Sequence, residues 1–165
     1  MSRTSIAKIP TQAETAAIVA TAKQDAMLLG LLTLCVETPD RVQGRVPVAV
    51  RDVLPAVLDD ARARVRAADT PSMTNAMTKI LAQIGGPMGQ EDRLAWQVAA
   101  AEMFLELPGD LVIDGLHDAR RVCTRVPQVI AHVFDYARKP AQRRRERLQA
   151  LEKLAELAEL PAITG

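Results

Sequence analysis

The sequence predicts an all-α protein, a compact bundle of six or seven helices with a long C-terminal helix that is first basic and then leucine-rich. Hydrophobic residues make up 48% of the chain but aromatic residues only 2%, so the core has to be aliphatic and packed by the close approach of helices. Apolar residues recur at intervals of three and four, the spacing of one helix face, and no stretch forms a convincing strand.

The first helix is predicted from about Thr11 to Val36 and is ended by "ETPD" at 37–40. The stretch at 41–50 is interpreted as an extended linker, with a short helix beginning at Pro47 as the alternative. The apolar stripe of the first helix is expected to consist of Ile18, Ala22, Ala26, Leu29, Thr33 and Val36.

Three helices are predicted in the middle of the chain. One opens at Pro55, and the next opens with Thr70 as N-cap and Pro71 as its first residue, before it ends at the glycine-rich stretch 85–89. The third, at about 90–107, has so wide an apolar face that we expect it to be the central helix of the core.

Asp110 is predicted to cap a short amphipathic helix that reaches Cys123. Pro127 then opens a helix that Pro140 interrupts, so the last helix is expected from about Pro140 to Leu160. These elements divide the chain into a flexible N-terminal arm at 1–10, a helical domain at 11–138, a C-terminal helix at 139–160 that can extend from the domain, and a tail at 161–165.

Charge and apolar runs narrow the class of protein. A net charge of +1 excludes a globally basic nucleic-acid coat, so any affinity for nucleic acid has to come from a local patch. The longest apolar run, residues 26–36, is too short to span a bilayer. Cys35 and Cys123 lie in apolar helical contexts without a partner spacing, which predicts reduced, buried thiols in a cytoplasmic protein without a membrane segment.

No pattern predicts an enzyme. Asp114 and His117 share a helix face, as a base and its carboxylate would, but an ordinary polar surface has the same pattern and no nucleophile is near in the sequence. His117, Cys123 and His132 are separated by six and nine residues, which matches no zinc motif. The glycines of residues 85–89 lack the Lys-Ser/Thr of a phosphate loop. We therefore expect no catalytic residue, no metal and no cofactor.

The strongest local signal is basic. The ten-residue window 138–147, the basic window, is predicted to bind nucleic acid or an acidic partner. The alternative is that its arginines are ordinary solvated side chains. The chain offers no aromatic residues for stacking on exposed bases. Arg120, Arg121 and Arg125 could join this surface if the two helices pack side by side. The predicted binding residues are Arg138, Lys139, Arg143, Arg144, Arg145 and Arg147.

Downstream of the arginines, leucines recur every three residues from Leu148 to Leu160. A step of three winds around a helix, so these side chains cannot all face one neighbour. The segment is interpreted as a solvent-facing arm that docks on a protein partner or pairs with a second copy of itself. The predicted docking residues are Leu151, Leu154 and Leu157.

A family pattern is carried by "AEMFLELPGDLVIDGLHDARRVCTRVPQVIAHVFDYARKPAQRRRERLQALEKL", residues 101–154. It resembles small all-helical phage and prophage replication accessory proteins, which load or restrain the replicative DNA helicase without an ATPase of their own. The resemblance implies a non-enzymatic adaptor, with a helicase or another nucleoprotein component and its single-stranded DNA as partners. The alternatives are a DNA-binding regulator or packaging protein that uses the arginine cluster, and an inhibitor that blocks a host nucleoprotein complex.

Overall fold

The computed structural model describes residues 12–160, with the side chains of Lys23 and of residues 25–160. This part of the chain holds seven helices and no strand, so the all-α prediction is confirmed. The predicted arm at 1–10 and tail at 161–165 lie outside the described residues. The helices are α1 (Gln12–Glu37), α2 (Pro39–Val42), α3 (Val48–Ala63), α4 (Thr70–Ile84), α5 (Gln90–Phe104), α6 (Gly109–Val122) and α7 (Val126–Glu159).

The chain divides into two compact units. Among the described residues, unit 1 consists of 12–55 with 150–160, and unit 2 of Ala56–Gln149. Helices α3 and α7 each contribute residues to both units. The sequence placed a division at residue 138, a position that α7 runs through without a break.

The prediction that the last helix starts at Pro140 is wrong, because α7 is helical from Val126 onward. Pro140 cannot donate to the carbonyl of Tyr136, and a proline inside a helix costs about 3 kcal/mol relative to alanine. The helix continues because its buried stripe does not stop at the proline. Spaced by four, the members of this stripe are Val129, Val133, Ala137 and Ala141, each at most 2% exposed.

The predicted helix start at Pro55 is also wrong, since this proline lies inside α3. The helix begins at Val48, close to the alternative start at Pro47. The carbonyl of Pro47 accepts hydrogen bonds from the amides of Val50 at 2.9 Å and Arg51 at 3.1 Å. Buried Val50 and Leu54, at spacing four, give this first part of α3 an inward face.

The core of unit 2 is aliphatic, as its composition predicts, and it is built by α4, α5, α6 and the first part of α7. Met77, Ile80 and Leu116 are among its largest fully buried side chains. The rings of Phe104 and Phe134 pack with their centroids 5.9 Å apart. Helix α4 contacts both α5 and α6.

Helix α5 does not have the central position that its apolar residues predict. Ala100 and Phe104 are buried, but Leu94, Val98 and Leu105 are 62%, 51% and 59% exposed. Leu94 and Val98, together with the C-cap residue Leu105, lie on one side of the helix. We refer to Leu94, Val98 and Leu105 as the α5 stripe.

The predicted apolar stripe of the first helix is also on the wrong side in its described part; the side chains of Ile18 and Ala22 lie outside the described residues. Leu29 and Val36 are 67% and 70% exposed, whereas the buried face consists of Leu28, Leu32 and Cys35. Apolar residues occur around most of the helix between residues 26 and 36. Spacing alone could therefore not identify the side that packs against the rest of unit 1.

Two helix starts differ from the prediction. Asp69, not Thr70, is the N-cap of α4, and its carboxylate accepts a hydrogen bond from the amide of Ser72 at 2.9 Å. Asp110 does not cap α6, whose N-cap position is occupied by Pro108 without a side-chain bond. The Asp110 carboxylate instead binds an arginine of α7.

The start of α6 lies against the loop between α3 and α4. The amide of Gly109 donates to the carbonyl of Arg66 at 2.7 Å. A Cβ at Gly109 would lie 2.8 Å from the carbonyl carbon of Ala67 and still closer to the backbone of Ala68. Only glycine allows this approach, because the atoms in the way belong to the backbone and cannot turn aside.

Gly109→Ala should therefore destabilise unit 2 by about 1–3 kcal/mol, the usual cost of forcing extra atoms into a packed site. Denaturant unfolding followed by circular dichroism measures the change. Gly89→Ser is the control within unit 2, because serine suits the N-cap position of α5 and an added Cβ at Gly89 would meet only the flexible carboxylate of Asp92, at 3.4 Å. Equal stability of the two variants would contradict the close packing at Gly109.

Candidate functional site

All six predicted basic residues lie on α7, within unit 2, but they do not share one role. Arg144 binds Asp110 of α6 through two parallel bonds, Nη1 to Oδ1 at 2.6 Å and Nη2 to Oδ2 at 2.7 Å. Its Nη1 also donates to the carbonyl of Arg64 at 2.9 Å. Arg144 thus joins three segments of unit 2, and its charge is already compensated.

The two partners reinforce each other's charged forms. The side-chain hydrogen bond from Arg144 lowers the pKa of the Asp110 carboxyl, and the same bond raises the pKa of Arg144. Arg145 is engaged as well, since its Nη2 donates to the carbonyl of Glu106 in the turn after α5. Arg144 and Arg145 therefore hold unit 2 together.

The other four cations, Arg138, Lys139, Arg143 and Arg147, are exposed, and none forms a hydrogen bond or ion pair with a described residue. Lys139, Arg143 and Arg147 are spaced by four and therefore lie on one face of α7. With a rise of 1.5 Å per residue, they span about 12 Å along the helix. We refer to Lys139, Arg143 and Arg147 as the basic stripe.

An aromatic residue, which the sequence analysis missed, stands at the start of the basic stripe. Tyr136 is 41% exposed and precedes Lys139 by three residues and Arg143 by seven, so it shares their face. Its ring lies over Gly115 of α6, where an added Cβ would be 3.3 Å from Cδ1. The spacing of three and four was the available signal in the sequence.

The acid inside the basic window does not neutralise the stripe. Glu146 is exposed and accepts a hydrogen bond from the side-chain amide of Gln142 at 2.9 Å. It forms no ion pair with Lys139, Arg143 or Arg147. The stripe therefore presents net positive charge to solvent at neutral pH.

The upstream arginines do not join this surface. Helices α6 and α7 pack side by side, but in opposite directions, as the Asp110–Arg144 bonds and the 2.9 Å pair between Asp118 and His132 show. Arg120 lies level with about residue 130 of α7, roughly 20 Å along the axis from the middle of the basic stripe. Arg120 is also bonded, through Nε, to Oε1 of Gln83 at 3.2 Å.

The prediction that Leu151, Leu154 and Leu157 form a solvent-facing docking surface is wrong. They are 0%, 0% and 4% exposed and belong to unit 1. Around them, the thiol of Cys35 reaches the carbonyl of Ala150 at 3.7 Å, and the amide of Gly44 donates to the carbonyl of Leu157 at 3.3 Å. The last turns of α7 are therefore part of the interior.

Gly44 has a positive φ of 65°, which favours glycine in this turn after α2. Its bond to Leu157 satisfies one of the carbonyls that a helix leaves unpaired at its C-terminal end. This bond ties the turn to the end of α7 within unit 1.

Other chemistry is not assembled in the described residues. No group of three or more His, Cys, Asp or Glu side chains among them could hold a metal ion. Cys35 and Cys123 are buried and unpaired, and burial raises the pKa of both thiols, so they stay uncharged at neutral pH. Of the helices between residues 12 and 160, none is both long and apolar enough to span a membrane.

Comparison with protein-family models, with curated proteins and with solved structures finds no match to this chain. The similarity to phage replication accessory proteins therefore stays a prediction.

Asp110→Asn should lower the stability of unit 2 at pH 7 by about 1 kcal/mol, a magnitude suited to an ion pair whose acid is 56% exposed. The pKa of Asp110 is lowered in the folded state, so its contribution is present above about pH 4 and is lost as the pH falls through the folded value. The difference in Tm between the native protein and the variant should therefore shrink below pH 4.

The control for this prediction is Asp135→Asn, which changes an exposed carboxylate on α7 for which no bond to a described residue is seen. Thermal unfolding of both variants from pH 3 to pH 7 gives the comparison. If Asp110→Asn and Asp135→Asn have the same Tm at pH 7, the Asp110–Arg144 pair does not stabilise the protein.

Proposed function

We propose that this protein is a non-catalytic nucleic-acid-binding protein that contacts the phosphate backbone through the basic stripe. The observation that carries the proposal is that the cations of α7 fall into two groups, one bonded within unit 2 and one free on the surface. Arg144 and Arg145 are engaged within unit 2, whereas Lys139, Arg143 and Arg147 are exposed and unpaired on one face.

The stripe suits a phosphate backbone in length and in chemistry. Duplex DNA carries one charge per about 1.7 Å of its axis, so a surface of about 12 Å faces roughly seven phosphate charges. Each cation that neutralises a phosphate releases a condensed counterion, which supplies much of the binding free energy. The two arginine guanidinium groups can also donate in parallel to phosphate oxygens.

The neighbouring contacts position the stripe. The two hydrogen bonds from Arg144 to Asp110 fix this part of α7 to α6, and the hydrogen bond from Arg145 to the carbonyl of Glu106 fixes it to the turn after α5. Binding therefore loses little backbone entropy, because the cations are already arranged on an ordered helix. Tyr136, on the same face, is available to stack on an unpaired base, which favours single-stranded nucleic acid over duplex.

The test replaces Lys139, Arg143 and Arg147 together by glutamine. Fluorescence anisotropy with a labelled oligonucleotide, single-stranded and duplex, measures Kd at several salt concentrations. Three phosphate contacts give a slope of about −2.7 in log K against log salt on duplex DNA, or about a 40-fold loss of affinity between 50 and 200 mM salt. The triple variant should lose most of this slope.

The control variant combines Arg41→Gln, Arg51→Gln and Lys79→Gln, which removes the same charge from exposed cations outside the stripe. It should bind nearly as the native protein does. Nucleic-acid binding by the stripe is refuted if both triple variants lose affinity equally, or if the native protein binds neither oligonucleotide at low salt.

The second candidate is the adaptor for a replication protein, such as the replicative DNA helicase, that loads or inhibits it. The leucines first assigned to partner docking are buried, so this function needs another surface. The α5 stripe is the observation in its favour, because three large apolar side chains on one helix face, each more than half exposed, suit a protein partner.

Leu94→Ser with Val98→Ser tests this candidate. The double variant should lose binding to a purified bacterial replicative helicase in a pull-down, while the basic-stripe variant keeps it. Met103→Ser is the control, since Met103 is 47% exposed on the opposite side of α5. The adaptor function is contradicted if the native protein does not bind the helicase, or if the double variant binds it as well as the native protein does.

A further inference from the structure

Helix α1 has an exposed apolar face that unit 1 leaves uncovered. Leu29 and Val36 are among the most exposed large apolar side chains described, at 67% and 70%. Ala26 and Thr33 are exposed on the same side. The side chains that α1 buries, Leu28, Leu32 and Cys35, lie on another side, so this face is additional to the core of unit 1.

The spacing of the exposed residues is that of a helix pair. Ala26, Leu29, Thr33 and Val36 follow one another at three, four and three residues, an average close to 3.5. A repeat of 3.5 keeps one stripe facing a partner helix. The occupant that fits this face best is therefore another helix.

The charged residues at the two ends of this face indicate which helix pairs with it. Lys23 and Glu37 are both exposed, and neither is paired with a described residue. Each stands seven residues from Gly30, on opposite sides of it, and Asp25 is the one other charged residue between them in the sequence. In an antiparallel pair centred on Gly30, Lys23 of one copy lies opposite Glu37 of the other, and two-fold symmetry repeats the pair.

A parallel pair would not match these charges, because each residue would lie level with its own counterpart. Gly30 fits the antiparallel crossing as well. Glycine inside a helix costs about 1 kcal/mol relative to alanine, and no described atom lies within 4 Å of a Cβ at this position. Packing within the chain therefore does not require Gly30, whereas a crossing helix can approach closely there.

We propose that the protein forms a homodimer through antiparallel pairing of helix α1 with α1 of a second copy. Leu29 and Val36 supply the apolar contact, and Lys23 and Glu37 set the orientation. The sequence assigned self-association to the C-terminal helix, but the leucines of that helix are buried in unit 1. This proposal rests on unit 1 alone and is independent of the basic stripe in unit 2.

The test measures the mass of the full chain by sedimentation over a range of concentrations. Leu29→Asp should give a monomer. Lys23→Glu alone, or Glu37→Lys alone, places like charges opposite each other twice and should weaken the dimer about tenfold. The variant with both Lys23→Glu and Glu37→Lys restores two matched pairs and should return to the native Kd.

Mixing the two single variants provides a second readout, because only the mixed dimer has matched charges and should form in preference to either homodimer. Arg51→Glu, a reversal of an exposed cation outside α1, is the control and should leave Kd unchanged. A native protein that is monomeric throughout, or a dimer that tolerates Leu29→Asp, overturns the proposal. A dimer insensitive to the charge reversals overturns the antiparallel orientation.

Discussion

The structure depends on the burial of two separate stretches of one helix. Val129, Val133, Ala137 and Ala141 of α7 belong to the core of unit 2, and Leu151, Leu154 and Leu157 are buried in unit 1. Pro140 lies inside the first of these stretches and is accommodated despite its cost, because the helix continues into the same core with Ala141. Between Ala141 and Leu151 no residue is fully buried. The four arginines from Arg143 to Arg147 fall within this stretch, where charged side chains can remain hydrated.

Within that window, hydrogen bonding separates residues of the same type. Arg144 is only 26% exposed and finds both a carboxylate and a backbone carbonyl within reach, which lysine could not bind in the same way because it lacks the planar fork. Arg143 and Arg147 form no bond to a described residue, although Arg147 lines the same cavity as Arg144. Four residues along the chain, one helix turn, keep a cation on the same face, whereas one residue changes its face and its role.

The exposed apolar residues of α1 and α5 also lie on particular helix faces. Helices α1 and α5 each carry more apolar residues than their own unit buries, and the surplus forms coherent faces. A protein surface tolerates scattered apolar side chains, but regular exposed stripes indicate contacts outside the unit. The regular spacing on α1 and its matched charges favour pairing with a second copy of the protein.

The sequence by itself determined the all-α class, most helix positions, the aliphatic core and the location of the basic cluster, because these depend on local propensity and on helical period. It could not determine which side of α1 or α5 is buried, since apolar residues surround much of both helices and only the neighbouring helices select a face. It also could not separate Arg144 from Arg143, because Asp110 is 34 residues away in the sequence. Only the tertiary structure brings that carboxylate to Arg144 and leaves the neighbouring Arg143 free.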